Sequence, residues 1–78
     1  MDLKDAVVVA KQQVAELLAP ETPQNMRLEE FLYDDHLMVW SLTIGFALPS
    51  RVEDTLVRNY KIVRVSEANK SVLSVTDR

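Results

Sequence analysis

One stretch of the chain, residues 37–46, restricts the choice of fold more than any other. Read with a period of two, its larger apolar side chains all fall on one side: Met38, Trp40, Leu42, Ile44 and Phe46. The other side carries smaller or more polar residues: Leu37, Val39, Ser41, Thr43 and Gly45. This alternation is typical of a β-strand whose larger side faces a core. We therefore predict a central strand that has Trp40 in the core and a helix packed on its larger side.

An amphipathic helix is predicted at residues 2–19. Its apolar residues recur at alternating spacings of four and three: Leu3, Val7, Ala10, Val14 and Leu17. Asp2 is the predicted N-cap, because its side chain can accept a hydrogen bond from an N–H group of the first turn. Pro20 and Pro23 are expected to end the helix, since proline lacks the backbone donor that a helix needs.

The segment before the central strand, residues 25–33, is also predicted to be a strand, although its alternation reverses part-way along. A β-bulge near Glu29 and Glu30 adds one residue to one strand of a pair and so reverses the alternation. Such a bulge would bring three apolar side chains onto one face: Leu28, Phe31 and Tyr33.

Short connections link the four predicted strands. The connections are residues 34–36, 47–54 (with one helical turn at 51–54) and 66–70, and the later strands are residues 55–65 and 71–76, with Leu73 and Val75 pointing inward. Parallel pairs would need longer crossovers, so the sheet is expected to be an antiparallel meander. The predicted fold is a single α+β domain over residues 1–78, a two-layer sandwich of order α-β-β-β-β with the N-terminal helix on one sheet face.

Composition limits the class of protein. A chain of 78 residues that is 47% hydrophobic and 27% charged is typical of one globular domain. The net charge of −3 and the lack of a basic run argue against nucleic-acid binding. No apolar run reaches the roughly 20 residues that cross a bilayer, and the first residues do not resemble a secretory signal. With no cysteine in the chain, we expect a cytoplasmic protein that does not associate with membranes.

His36 is the single histidine, and it follows Asp34 and Asp35. Consecutive residues of a tight turn rarely converge on one metal ion, and the sequence has no second histidine or cysteine to complete a site. A single glycine also excludes a glycine-rich phosphate loop and the glycine-flanked serine turn of hydrolases. We therefore expect no metal, no cofactor and no enzymatic activity.

The side of the central strand that faces away from the helix is less polar than contact with solvent alone would favour. We predict an interaction face there, formed by Leu37, Val39 and Thr43. The alternative is that these are ordinary exposed side chains of a strand, since scattered apolar residues are common on protein surfaces.

Three cations, Arg58, Lys61 and Arg64, follow one predicted strand and could form an anion-binding patch. The alternative is that they form cross-strand ion pairs with residues such as Glu29 or Glu30 and protect a strand edge from aggregation.

The C-terminal segments at residues 60–65 and 71–75, Tyr-Lys-Ile-Val-Arg-Val and Ser-Val-Leu-Ser-Val, are joined by a polar turn. This pattern resembles the closing hairpin of PepSY-like domains, which combine a helix with a small antiparallel sheet. The turn of this chain lacks the glycine that the family often carries there. The resemblance implies a small non-catalytic domain that binds or inhibits another protein.

Three functional hypotheses follow. The first is a non-enzymatic protein-interaction module, of the inhibitor or immunity type, that acts through its sheet. The second is a structural homodimer, because a domain of this size gains only about 3–5 kcal/mol from its own core and dimerisation buries more surface. The third is a nucleic-acid-associated protein that uses Arg58, Lys61 and Arg64, which the acidic composition disfavours.

Overall fold

A computed structural model describes residues 1–49 and 56–78 of the chain. Its elements are one helix, a short 3-10 turn (Ala19–Glu21) and four strands: α1 (Leu3–Leu17), β1 (Gln24–Asp34), β2 (Val39–Pro49), β3 (Leu56–Ser66) and β4 (Val72–Asp77). The strands pair antiparallel in the order β1-β2-β3-β4, and α1 contacts all four. The predicted α+β fold with a helix on an antiparallel meander is confirmed. The predicted helical turn at residues 51–54 lies outside the described residues.

The helix begins as the sequence predicts. The Asp5 N–H donates to Asp2 Oδ1 over 2.9 Å, so Asp2 is the N-cap. The regular helix ends at Leu17, and the chain continues into the 3-10 turn that contains Pro20. The helix residues that are buried against the sheet are small: Ala6, Ala10 and Val14. Small side chains let the helix backbone lie close to the strands.

The core lies between α1 and the two central strands. Its fully buried strand residues are Leu42, Ile44 and Phe46 of β2 and Val63 and Val65 of β3. Three of the side chains assigned to the larger side of the central strand are therefore in the core, as the alternation predicts. Apolar residues recur at every second position of β2 and at every third or fourth position of α1. Each element therefore has one apolar side, and the two apolar sides pack against each other.

The predicted bulge in β1 is confirmed. Leu28 pairs with Ile44 and Glu30 pairs with Thr43, so Glu29 is the additional residue. The residues that the bulge brings to the helix side are the three predicted ones: Leu28, Phe31 and Tyr33.

The central strand begins two residues later than predicted, because residues 35–38 form a turn. Asp34 Oδ1 accepts hydrogen bonds from the N–H groups of His36 and Leu37, which holds the turn closed. Met38 has a left-handed φ of 55° and is 49% exposed. The prediction that Met38 lies on the core side of a strand is therefore wrong.

Trp40 lies on the predicted side of β2, but it is half-buried at the margin of the core. The 15-residue helix spans about 22 Å, whereas an 11-residue strand spans about 36 Å. The chain leaves the helix beside Leu48 and Pro49, at the opposite end of β2 from Trp40. The helix is therefore too short to cover the end of the sheet where Trp40 lies.

The last strand also contains a bulge, and the sequence did not indicate it. Arg64 pairs with Ser74 and Val65 pairs with Val72, which leaves Leu73 as the additional residue. Leu73 is 54% exposed, so the prediction that it points inward is wrong. Val72 packs on the core instead of Leu73. Val75 also packs on the core, as predicted.

Candidate interaction surfaces of the sheet

The open face, defined as the sheet side opposite α1, does not present the interaction surface predicted from the sequence. Val39 and Thr43 are only 6% and 3% exposed. The β2 strand has a neighbour on each side, so its short side chains lie below the longer ones of β1 and β3. The Thr43 hydroxyl, for example, donates to Glu30 Oε1 over 3.4 Å. Leu37 is 58% exposed, but it lies in the turn after β1.

Two neighbouring large apolar side chains are exposed instead on the outer strand β1. Phe31 is 53% exposed and Leu32 is 68% exposed. Phe31 pairs with Leu42 on the helix side and Leu32 pairs with Ser41 on the open face, so they project from opposite sides of one strand. Within residues 1–49 and 56–78, no strand pairs with the outer side of β1. We call the segment 30–34 the β1 edge.

The sequence carried a signal for this edge. A four-stranded meander places its first and last strands at the borders of the sheet. The predicted bulge also placed Phe31 on the same face of the first strand as Leu28 and Tyr33. What the alternation could not indicate was that the helix would stop short of Phe31, because that depends on how helix and strand lengths compare in three dimensions.

Acidic residues flank the apolar part of the β1 edge. Glu29 and Glu30 precede Phe31, and Asp34 and Asp35 follow Tyr33. Glu29 is neutralised by arginines, whereas Asp34 accepts only backbone N–H groups among the described residues. Within the β1 edge, the Glu30 and Asp34 carboxylates therefore border the apolar residues without an ion-pair partner among the described residues.

The structure separates the three cations of the predicted anion patch. Arg58 pairs with Ala47 and Arg64 pairs with Ser41, which places both on the open face. Lys61 pairs with Ile44, so it lies on the helix side, where its ammonium contacts the Asp77 carboxylate. The three side chains do not converge on one site.

The Glu29 carboxylate lies between two arginines on the open face. Its Oε1 is 2.8 Å from Arg27 Nε and 2.7 Å from Arg58 Nη2, and Arg58 Nη1 also donates to the Asn25 carbonyl over 3.1 Å. The hydrogen bond from Arg27 lowers the pKa of Glu29, and the charge of Arg58 acts in the same direction. A cross-strand ion pair to Glu29, the alternative reading of the cations, is thus present for Arg58.

Gly45 lies directly beneath this ion pair. A β-carbon at Gly45 would be 2.4 Å from Glu29 Oε1 and 2.5 Å from Arg58 Nη2, both too close for non-bonded atoms. The sequence predicts either a bulge or a close backbone approach at this glycine. The structure shows neither, because the space is taken by side chains of the neighbouring strands.

An aromatic cluster fills the end of the helix side that α1 leaves uncovered. The Trp40 ring lies 4.7 Å from the Tyr33 ring and 6.4 Å from the Phe31 ring, centroid to centroid. The Tyr33 hydroxyl donates to the Glu67 carboxylate, and this hydrogen bond raises the pKa of Tyr33 to about 12. Glu67 also donates its backbone N–H to the Met38 carbonyl, so this cluster joins the β1–β2 turn to the end of β3.

Within the described part of the chain, no three acidic or histidine side chains are grouped as metal ligands. The His36 N–H is a donor in the turn after β1. The helix of the described residues is not long and apolar enough to cross a membrane.

No family model, no curated protein and no solved structure matches this chain. The two segments that resemble a PepSY-like hairpin do form the paired strands β3 and β4. An antiparallel hairpin is common to many folds, so the resemblance stays a prediction.

Proposed function

We propose that this chain is a small, non-catalytic protein-interaction module of the cytoplasm that acts, as an inhibitor or immunity protein would, by adding a partner's strand to its β1 edge. The observation that supports this most directly is the pair Phe31 and Leu32. These large apolar side chains are more than half exposed on opposite sides of an outer strand.

Strand addition suits such an edge for a physical reason. An outer strand presents backbone N–H and C=O groups that lack partners in its own sheet. An added strand supplies these hydrogen bonds, while its side chains lie beside those of the edge strand and determine specificity. Covering the exposed halves of Phe31 and Leu32 would contribute roughly 1 kcal/mol each, about half the value for complete burial of such side chains.

The charges of the β1 edge indicate the chemistry of the added strand. Glu30, Asp34 and Asp35 border the apolar residues and have no cationic partner among the described residues. A strand with an apolar centre and flanking lysines or arginines complements this pattern. Charge complementarity of this kind raises association rates and favours the correct partner.

The nucleic-acid hypothesis has less support. Arg58 is paired with Glu29, and Lys61 lies on the other side of the sheet from Arg58 and Arg64. Phosphate binding by a continuous stripe of cations would require these side chains to face one direction.

The proposal can be tested by selecting peptides from a random library that bind the purified chain. The chain is kept dilute during the selection. We expect the selected peptides to share an apolar centre and basic flanks, and to perturb the NMR signals of β1. The variant Leu32→Lys should bind them about tenfold more weakly, because a lysine on an edge strand opposes the addition of another strand.

The matched control is Val8→Lys, which places the same charge at a 51% exposed position on the helix. Its peptide affinity should equal that of the unmodified chain. Peptides that bind the Leu32→Lys variant undiminished, or that perturb only signals outside β1, would contradict the proposal.

A further inference from the structure

The opposite border of the sheet, strand β4, has the complementary pattern to the β1 edge. Leu73 at the bulge is 54% exposed, and no strand within the described residues pairs with the outer side of β4. Lys70 precedes this strand and Arg78 follows it. An antiparallel contact that places Leu32 opposite Leu73 brings Asp35 opposite Lys70, so the charges at this one end of the two borders are complementary.

The other charged side chains around β4 do not cancel the positive charge of its flanks. The one carboxylate of β4, Asp77, is in contact with the Lys61 ammonium. Arg64 pairs with Ser74 and is exposed on the open face beside β4. The Arg78 guanidinium lies 5.1 Å from the centre of the Tyr60 ring, at the end of the same border. Among the described residues, the charged side chains at β4 that lack an ion-pair partner are thus cationic, whereas those of the β1 edge, Glu30 and Asp34, are anionic; Glu67, in the turn before β4, accepts a hydrogen bond from Tyr33 instead.

Strand direction also permits the two borders to meet. Successive strands of the meander alternate in direction, so β1 and β4 run in opposite directions within one molecule. When a second copy is placed beside the first in the same orientation, its β1 therefore lies antiparallel to the first copy's β4. The sheet continues across the contact, and the helices of both copies remain on one side.

Pairing of two β1 edges with each other is disfavoured by charge. An antiparallel pair centred on Leu32 places Glu30 of one copy opposite Asp34 of the other. Like charges directly opposite each other destabilise a sheet. The two-fold symmetric β1–β1 dimer is therefore expected to be less stable than the head-to-tail contact between β1 and β4.

We propose that the strand received by the β1 edge is β4 of a second copy of this chain, in a head-to-tail contact. This inference rests on the proposed function, because it names the partner of that same edge. Head-to-tail contacts produce rings where the rotation between copies closes, and open chains where it does not.

Two edge variants provide the test. Leu32→Lys blocks the β1 edge, and Leu73→Lys blocks the border at β4, each at an exposed position that carries little of the core. In sedimentation experiments over a dilution series, the unmodified chain should associate as its concentration rises. Each variant alone should remain monomeric at concentrations about tenfold higher.

Mixing the two variants should restore association and stop it at a one-to-one complex. The Leu32→Lys chain still has an intact β4 and the Leu73→Lys chain an intact β1 edge, so one productive contact remains. The blocked edges cannot pair, because two lysines would face each other. The circular dichroism spectrum of each variant confirms that it is folded.

Three results would overturn the head-to-tail contact: an unmodified chain that stays monomeric throughout, undiminished association of Leu73→Lys alone, or folded variants that do not combine on mixing. None of these affects peptide binding at the β1 edge, so the proposed function is judged separately. Hydrogen exchange of the unmodified chain gives a second measurement. Protection of amides on both β1 and β4 should rise together with concentration, and protection of β1 alone would contradict the inference.

Discussion

At the scale of single residues, the ion pair above Gly45 shows how one position is fixed by its neighbours. Glu29 is available to Arg58 because the bulge makes it the additional residue of β1. The pair then occupies the space that a β-carbon at Gly45 would need. The sequence alone indicated a special role for this glycine, but the atoms that exclude a side chain come from two other strands, and no local pattern identifies them.

The substitution Gly45→Ala should lower the free energy of unfolding by about 1 kcal/mol, because the new methyl group displaces the Glu29 carboxylate. In a Glu29→Ala background Arg58 loses its ion pair and can move aside, and the same change should instead be stabilising by about 0.5 kcal/mol, since alanine loses less conformational freedom than glycine on folding. Both effects can be measured by urea unfolding of four chains: the unmodified chain, each single variant and the double variant. Equal effects of Gly45→Ala in the two backgrounds would show that the ion pair does not restrict this position.

At the scale of elements, features that depend on local patterns could be predicted, and features that depend on relative lengths could not. The N-cap Asp2, the proline-limited helix and the bulge at Glu29 each follow from residues close together in sequence. The bulge at Leu73 does not, because Leu73 and Val75 alternate regularly and suggest an uninterrupted strand. The burial of Val39 and Thr43 was missed because it depends on the flanking strands.

The helix cap offers a test at this scale. Asp2→Ala should lower the free energy of unfolding by about 1 kcal/mol, because the Asp5 N–H loses its acceptor. Asp5→Ala is the matched control, since it removes a carboxylate from the same turn but keeps the capping hydrogen bond, and its effect should be smaller. Thermal or urea unfolding followed by circular dichroism distinguishes the two, and a larger loss for Asp5→Ala would contradict the assignment of the cap.

At the scale of the whole molecule, a short helix covers one part of a long sheet. The molecule extends 44 Å along its main axis and 19 Å along the other two. The fully buried residues lie beneath α1, and the Trp40 end depends on aromatic contacts at the margin of the core. The sequence predicted the layers and the strand order correctly, but not this uneven coverage.

Because α1 covers only part of the sheet, the backbone amides of the sheet should differ in their protection from hydrogen exchange. In dilute solution, the amides of Leu42, Ile44 and Val63 should exchange only through global unfolding, because their strands are paired on both sides beneath α1. Of the two neighbouring amides of Phe31 and Leu32, the one that points away from β2 should exchange orders of magnitude faster. NMR-detected exchange at several denaturant concentrations measures both classes. Uniform protection over β1 and β2 would contradict this description.

The bulges at Glu29 in β1 and at Leu73 in β4 have a consequence for aggregation. Each interrupts an outer strand, so the regular backbone that either border can offer is short. Fibril growth relies on flat, uninterrupted segments of about six or seven residues that stack many times over. With an irregularity in both outer strands, this chain can offer a short strand to a partner while its borders remain poor templates for amyloid.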